Sequence, residues 1–520
     1  LGILGLSAAA AACGVNAADA GVGGAGGGNF GSATGSGGGT GTGGGTPPPE
    51  KEVESTYGAP VATGKYVWIA NPASGRVAYI DASTLSIKLV DAGNAPTFVA
   101  AVPAPSGDTA IVLNVLSKDA TLLHAEADAS VTARSFPVPS SGNAWSVSKD
   151  GKWAVAWTDA RRLTKPDPVE GYQDLTVLDL ETGAESSTAL SVGYRPVAVA
   201  FDDADAHAYA VNQDGITIIS LGASPAVVKN VPLSSTPIDP GNTTDVSITP
   251  DGAYALVRKD GVAGVDVFDL AVGTRTSVTL PADVTDLDLS ADGKTAVAVM
   301  RSSSQAALLP VPGIVTAPST FTTLTFDTTV GSASLASASP VGFFYTNATP
   351  SPVMAVVDTS AATPTPRDIL LRAPVLGVFP TPDAAHAVVL HDALTDQGSH
   401  YPAAVSLAPI AAQLPPKIVG IDAPIVSLAI APEGDHVLVA AGDSQSKVYE
   451  LVIADLPSLQ VKKLALASRP IAAGVVAGAH RGYVAQNHPD GRITFVDFTS
   501  GQVRTLTGFE LATQVTDGTP

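Results

Sequence analysis

Basic residues are scarce in this chain: 28 Lys and Arg stand against 48 Asp and Glu, giving a formal charge of −20 and a pI near 4.6. Phosphate backbones and anionic membrane surfaces repel such a protein, which argues against nucleic acid as a partner. Aromatic residues make up 5% and hydrophobic residues 45%, so Ala, Val, Leu and Ile must fill a sizeable core. Cysteine occurs once, at Cys13. There is no C-x-x-C-H haem site, G-x-S-x-G elbow, H-E-x-x-H helix, P-loop or dinucleotide fingerprint, and no cofactor is expected. Beyond the N-terminal stretch no run is apolar and long enough to span a bilayer, so the remainder is expected to be exported, soluble and monomeric.

What is present begins with an address. Residues 1–13, LGILGLSAAAAAC, form an apolar and then small-residue run ending at Cys13, too short and too rich in Ala to cross a membrane. It reads as a signal segment, cut short because it starts without Met or a basic region. Ala10, Ala11 and Ala12 before Cys13 resemble a bacterial lipobox, although Ala10 stands where that pattern prefers Leu. The resemblance implies a lipidated Cys13 that anchors the protein to a bacterial membrane. Gly14, rather than Asp, after the cysteine would permit sorting to the outer membrane or cell surface. Residues 14–63 are rich in Gly, Ser, Thr and Pro, including Pro47-Pro48-Pro49, and build no core. They are expected to form a disordered tether, and about 35 such residues would reach roughly 30–35 Å.

From residue 64 to 515 the chain repeats, leaving 516–520 as a tail. The stretch Lys65–Pro96 sets the pattern, with strand-like runs at Tyr66–Ala70, Arg76–Ile80 and Ser86–Val90 in period-2 alternation. A sheet this small cannot bury its faces alone, so copies must stack. Polar turns recur at Ser148–Lys152, Thr249–Gly252 and Ser290–Lys294, with weaker forms between, at spacings of roughly 41–53 residues. Asp and Gly tolerate the positive φ of such hairpins. Third strands tend to end in Asp (Asp81, Asp179, Asp269, Asp358, Asp455, Asp497), whose side chain can fix the following turn. The fold class expected is all-β: one closed β-propeller of four-stranded blades, about ten units, with 7–8 blades as the alternative. The first unit lacks an obvious inner strand, and the tail Phe509–Val515 is expected to supply it and close the ring.

Tyr66–Asn71 (YVWIAN), Ala208–Asn212 (AYAVN) and Gly482–Asn487 (GYVAQN) resemble the YVTN β-propeller repeat of prokaryotic surface proteins. The Val-x-Val-x-Asp strands and Gly-x-x-Pro links belong to the same pattern, which is degenerate here and covers nearly all of residues 65–511. The resemblance implies a propeller and no single activity, since the family hosts both binding proteins and enzymes.

Candidate site residues fall in the loops. The longest insertion, Thr158–Asp174, carries Arg161, Arg162 and Lys165 beside Tyr172, a basic cluster suited to an anionic or glycan ligand. Arg195, Arg372 and Arg469 precede inner strands, and Arg258 and Arg301 follow second strands, which would place them around one channel mouth. His391, Asp392, Asp396 and His400 share one loop and are weak metal candidates. His207, His386, His436 and His480 all follow first-to-second-strand turns, and because equivalent positions lie around the rim they are not expected to converge on one ion. The opposite face is expected to carry tight hairpins and little else.

The leading expectation is a lipid-anchored propeller that binds or scaffolds a protein, glycan or anionic ligand at the cell envelope. The alternative is a propeller hydrolase or lactonase with a metal or carboxylate site at the channel mouth. A third reading is an envelope component assembling through blade edges.

Overall fold

The computed structural model describes residues 57–103, 107–181, 183, 185–233, 244–411, 414–509 and 515–517. Cys13, the signal segment and nearly all of the tether lie outside the described residues. Ten antiparallel sheets of four strands succeed one another along the chain, the last with a fifth strand added. They form a β-propeller whose blades we number 1 to 10: residues 61–91, 96–137, 144–191, 196–232, 244–279, 286–325, 332–370, 377–421, 425–465 and 470–507. The expectation of about ten units holds, against seven or eight.

Period-2 alternation explains how so small a sheet buries both faces. In the second strand of blade 1, Tyr66–Asn71, every residue is buried. Tyr66, Trp68 and Ala70 pack with Ala110, Val112 and Leu123 of blade 2. Val67 and Ile69 point the other way, onto Val476, Tyr483 and Ile493 of blade 10. Ten such clusters occur among the described residues, one at each seam between neighbouring blades. The core is a ring of seams, each supplied by two sheets that could not be stable alone.

Turn chemistry follows the sequence. Asp150 accepts from Ser148 Oγ and Lys152 N at 2.7 and 2.8 Å while Gly151 takes φ +68°. Asp292 repeats the arrangement with Ser290 and Lys294. All six Asp residues that end third strands accept a backbone N–H from two or three residues on, as Asp81 does from Ser83 and Thr84 at 2.8 Å.

Ring closure differs from the expectation. The inner strand of blade 1 is Val61–Ala62, which pairs with Trp68 and Val67 and is supplied from the N-terminal side. The tail strand Val515–Asp517 instead lies outside blade 10, against Thr505, Leu506 and Thr507. Closure is made by packing across the seam of blades 10 and 1, where Tyr57 and Phe509 join the shared core. Arg481 of blade 10 donates to Ala82 O and Ser83 O of blade 1 while pairing with Asp497 at 3.2 Å. A two-residue inner strand offered little pattern to read. No helix among the described residues is long and apolar enough to cross a membrane.

Candidate metal centre

Strand polarity in the blades puts first-to-second and third-to-fourth strand turns at one face, and the second-to-third turns and interblade links at the other. A histidine and carboxylate cluster forms at the first of these faces, over the seam of blades 9 and 10. In blade 9, the turn after Ile425–Ile430 ends in Asp435, and His436 opens the second strand, His436–Asp443. In blade 10 a short 3-10 turn, Ala477–Ala479, replaces the Asp-Gly hairpin. It leaves His480 in the left-handed region at φ 49° just before the strand Arg481–Gln486. The two side chains meet across the seam above the apolar cluster of Leu438, Ala440, Val484 and Val496.

One ligand atom from each of Asp435, His436 and His480 lies within 4.8 Å of the other two. Asp435 Oδ2 is 3.1 Å from His436 Nδ1 and 3.9 Å from His480 Nε2. Four-coordinate zinc with bonds near 2.0–2.1 Å sets neighbouring donors about 3.3 Å apart, so the first spacing already fits and a small rotation of His480 closes the second. Neither Asp435 Oδ1 nor His436 Nδ1 has a hydrogen-bond partner, although both atoms are buried. A buried ring nitrogen without a hydrogen bond is costly, and a cation at His436 Nδ1 would satisfy it. His436 is 12% exposed, Asp435 29% and His480 40%, so the cluster opens to solvent on the His480 side. Phe498 forms its wall, stacked on His436 at 4.3 Å and 12° and edge-on to His480 at 5.6 Å and 83°.

The expectation that rim histidines cannot converge is thereby corrected for His436 and His480. Equivalent positions in adjacent blades are one sheet spacing apart, about 10 Å, and two facing side chains bridge that gap. The face expected to hold little but hairpins carries the cluster, so a site of this kind does not lie at the channel mouth foreseen for it. The signal that could have found it was the Asp-His pair at the start of one second strand, followed by His at the same place in the next unit. His207 instead pairs with Asp202 at 2.9 Å in blade 4, and His386 is half-buried in blade 8.

The other metal candidates do not join. His391 is fully buried with both ring nitrogens occupied, by Pro374 O and Ser406 Oγ at 2.8 Å each, and burial lowers its pKa. It is a neutral core histidine. The following segment is a β-hairpin, Leu394–Asp396 with Ser399–Tyr401, rather than a loose loop. Asp396 pairs with Arg372 at 2.6 Å, Asp392 is exposed, and His400 reaches only Thr395 at 3.4 Å.

The arginines expected at the channel mouth are largely engaged with the protein itself. Arg161 forks onto Asp159 at 2.9 Å and donates to Val197 O, and Arg162 lies 3.5 Å from the same carboxylate. Arg195 is buried; it donates to Asp167 O and Glu170 O and lies over Tyr172 and Tyr194, so it pins the Thr158–Asp174 insertion. Arg258 is buried between Asp245 and Asp260. Arg301 and Arg469 are half-buried, and Lys165 is exposed.

A second group of titratable residues, not foreseen, sits on inner strands. Burial, with Asp245 adding repulsion, pushes the Asp286 pKa up to about 6 against the opposing effect of the Ala333 N–H bond and the Arg258 charge. Burial, with Asp286 and Asp245 adding repulsion, raises Asp288 well above the usual carboxylate range, and its Oδ2 has no partner.

Fold and site define a class: a many-bladed propeller with a histidine–carboxylate cluster at one blade seam. No protein-family model and no curated protein matches the chain. Among solved structures it is similar to a eukaryotic initiation factor, at 14% identity and TM-score 0.50 over 75% of this chain and 96% of that one. It is also similar to a dihydro-heme d1 dehydrogenase, NirN, at 13% identity and TM-score 0.43 over 68% and 72%. A functionally unknown protein from Desulfotomaculum acetoxidans matches at 12% identity and TM-score 0.37, over 73% and 99%. At 14% identity the likeness to the initiation factor shows the fold alone, and the other two carry no argument.

Proposed function

We propose that this protein is a metal-binding propeller hydrolase, with Asp435, His436 and His480 as the ligands of a divalent transition ion. The observation that carries the reading is the convergence of these three donors from two blades, with His436 Nδ1 buried and without a hydrogen bond. Two imidazoles and one carboxylate suit zinc better than magnesium or calcium, which prefer all-oxygen sets. Three protein ligands with one open side match catalytic rather than structural zinc. Such an ion polarises a carbonyl and brings the pKa of a coordinated water down toward 7. The side chains would hold and orient: Phe498 fixes the His436 ring plane, and half-exposed His480 leaves room for an ester or lactone carbonyl. In the overall reaction the water oxygen bonds to the acyl carbon, the acyl–oxygen bond breaks, and the alcohol oxygen takes a proton. Hydrolysis of p-nitrophenyl acetate, measured with zinc, after chelation and in His480→Ala, tests the proposal. Chelator-sensitive turnover lost in the variant supports it; equal rates in all three would refute it.

A binding role on the opposite face is the second reading, favoured by Arg195, which holds the Thr158–Asp174 insertion rigidly by its bonds to Asp167 O and Glu170 O. Its ligand would be a protein, glycan or anion. The YVTN-like repeats and the lipobox-like run before Cys13 support membership of that surface-protein family and lipid anchorage at the bacterial envelope. Cys13→Ala should then leave the membrane fraction; retention there would refute the anchor.

A further inference from the structure

The residue facing His436 across the sheet is Asp455, the last of the third strand Val448–Asp455 of blade 9. Directly opposed residues of an antiparallel pair share one sheet face, so these two side chains are neighbours by register and not by chance of rotamer. Asp455 Oδ1 is taken by Ser458 N at 2.8 Å, while Oδ2 lies 3.8 Å from His436 Nε2. The ring therefore presents its Nδ1 edge to Asp435 and its Nε2 edge to a second carboxylate. Stacking on Phe498 fixes the plane in which both edges lie. Leu456 N donates to Asp435 O at 2.7 Å, tying the turn that bears one carboxylate to the strand end that bears the other.

We propose, resting on the metal reading above, that Asp455 is a positioning residue: with an ion at Nδ1 the His436 proton lies on Nε2, where the Asp455 carboxylate faces it and strengthens Nδ1 as a donor. In the metal-free chain Asp435 Oδ2, 3.1 Å from Nδ1, is the nearer carboxylate and favours the other tautomer. Imidazole ligands commonly donate their other ring N–H to a carboxylate, which fixes the tautomer and strengthens the donor, and losing that partner typically costs 10–100-fold in metal affinity. At 3.8 Å the pair acts through charge.

Two measurements decide it. Zinc affinity, by competition with a chromophoric chelator, is compared among the parent chain, Asp455→Asn and Asp455→Glu. Asparagine keeps an oxygen for Ser458 N, and glutamate restores the carboxylate. In parallel, 1H–15N spectra of zinc-loaded, histidine-labelled protein report the shift of the His436 Nε2–H. The expected result is roughly 10–100-fold weaker binding in Asp455→Asn, at least partial recovery in Asp455→Glu, and a His436 Nε2–H resonance that moves upfield in Asp455→Asn and returns toward the parent position in Asp455→Glu. A parent chain that binds no zinc would sink the metal reading itself. Zinc bound equally by parent and Asp455→Asn, or a His436 Nε2–H resonance that Asp455→Asn leaves in place, would overturn the role of Asp455 alone.

Discussion

The rings of Tyr57 and Phe509 meet at 87° with centroids 5.4 Å apart, so the segment before blade 1 and the segment after blade 10 touch inside a single core. Phe509 is buried in the cluster shared by blades 10 and 1, and Gly491 packs so closely on it that a Cβ there would strike the ring. Phe509→Ala should therefore destabilise the whole propeller by about 3–5 kcal/mol, as large aromatic-to-alanine changes in cores do. Removal of residues 515–520, which include only the outer strand, should shift the urea midpoint far less. Equal shifts for the two variants would mean that the tail strand, not the seam, closes the ring.

The blade seam should respond to zinc before any catalysis is examined. Zinc at 100 times its Kd should stabilise the protein by about 2.7 kcal/mol. His480→Ala and Asp435→Ala should lose that gain, while zinc-free stability changes little because both side chains are partly exposed. Differential scanning fluorimetry across a zinc series measures it. A stabilisation that survives both substitutions would place the ion elsewhere.

Asp288 makes stability depend on pH in a direction opposite to the usual paired carboxylate. Its folded pKa lies well above 3.8 and that of Asp286 is about 6. Below pH 3.8 both states hold these protons. As pH rises the unfolded chain gives them up first, so the stability they contribute is full below about pH 4 and is lost through about pH 6 and beyond. Asp288→Asn should thus become progressively more stable than the parent between about pH 4 and 7, by on the order of 1 kcal/mol. Chemical denaturation at several pH values checks this, and a pH-independent difference would contradict it.

Arg195 should control the long insertion in blade 3. It donates to Asp167 O at 2.8 Å and Glu170 O at 3.2 Å. Arg195→Ala should make the Thr158–Asp174 segment at least several-fold more sensitive to limited proteolysis, leaving the rest of the ring intact. Cleavage at the parent rate would show that the short turn at Ala160–Arg162 is sufficient to hold it.

The fold was legible wherever one residue decides one turn. Asp81, Asp150, Asp292 and Asp497 announce hairpins because their carboxylates satisfy the turn amides locally, and the chain need not be folded for that rule to apply. Val61–Ala62 was not legible, since two residues carry no period. The metal candidate was half legible. His436 and His480 stood out as equivalent turn histidines, but their meeting depends on the left-handed backbone at His480 and on the seam geometry between blades 9 and 10. Arg161, Arg195, Arg258 and Arg372 looked available in a linear chain, whereas their carboxylate and carbonyl partners come from residues brought close by the fold or its loops.

Anomalous diffraction at the zinc edge, from crystals grown with one equivalent of zinc, addresses the metal centre at the level of atoms. A peak is predicted between Asp435 Oδ2, His436 Nδ1 and His480 Nε2, about 2.0–2.2 Å from each donor, and its absence from His480→Ala crystals. A parent crystal with no peak at the seam of blades 9 and 10, or with its peak at His391 or His400 instead, would contradict the assignment.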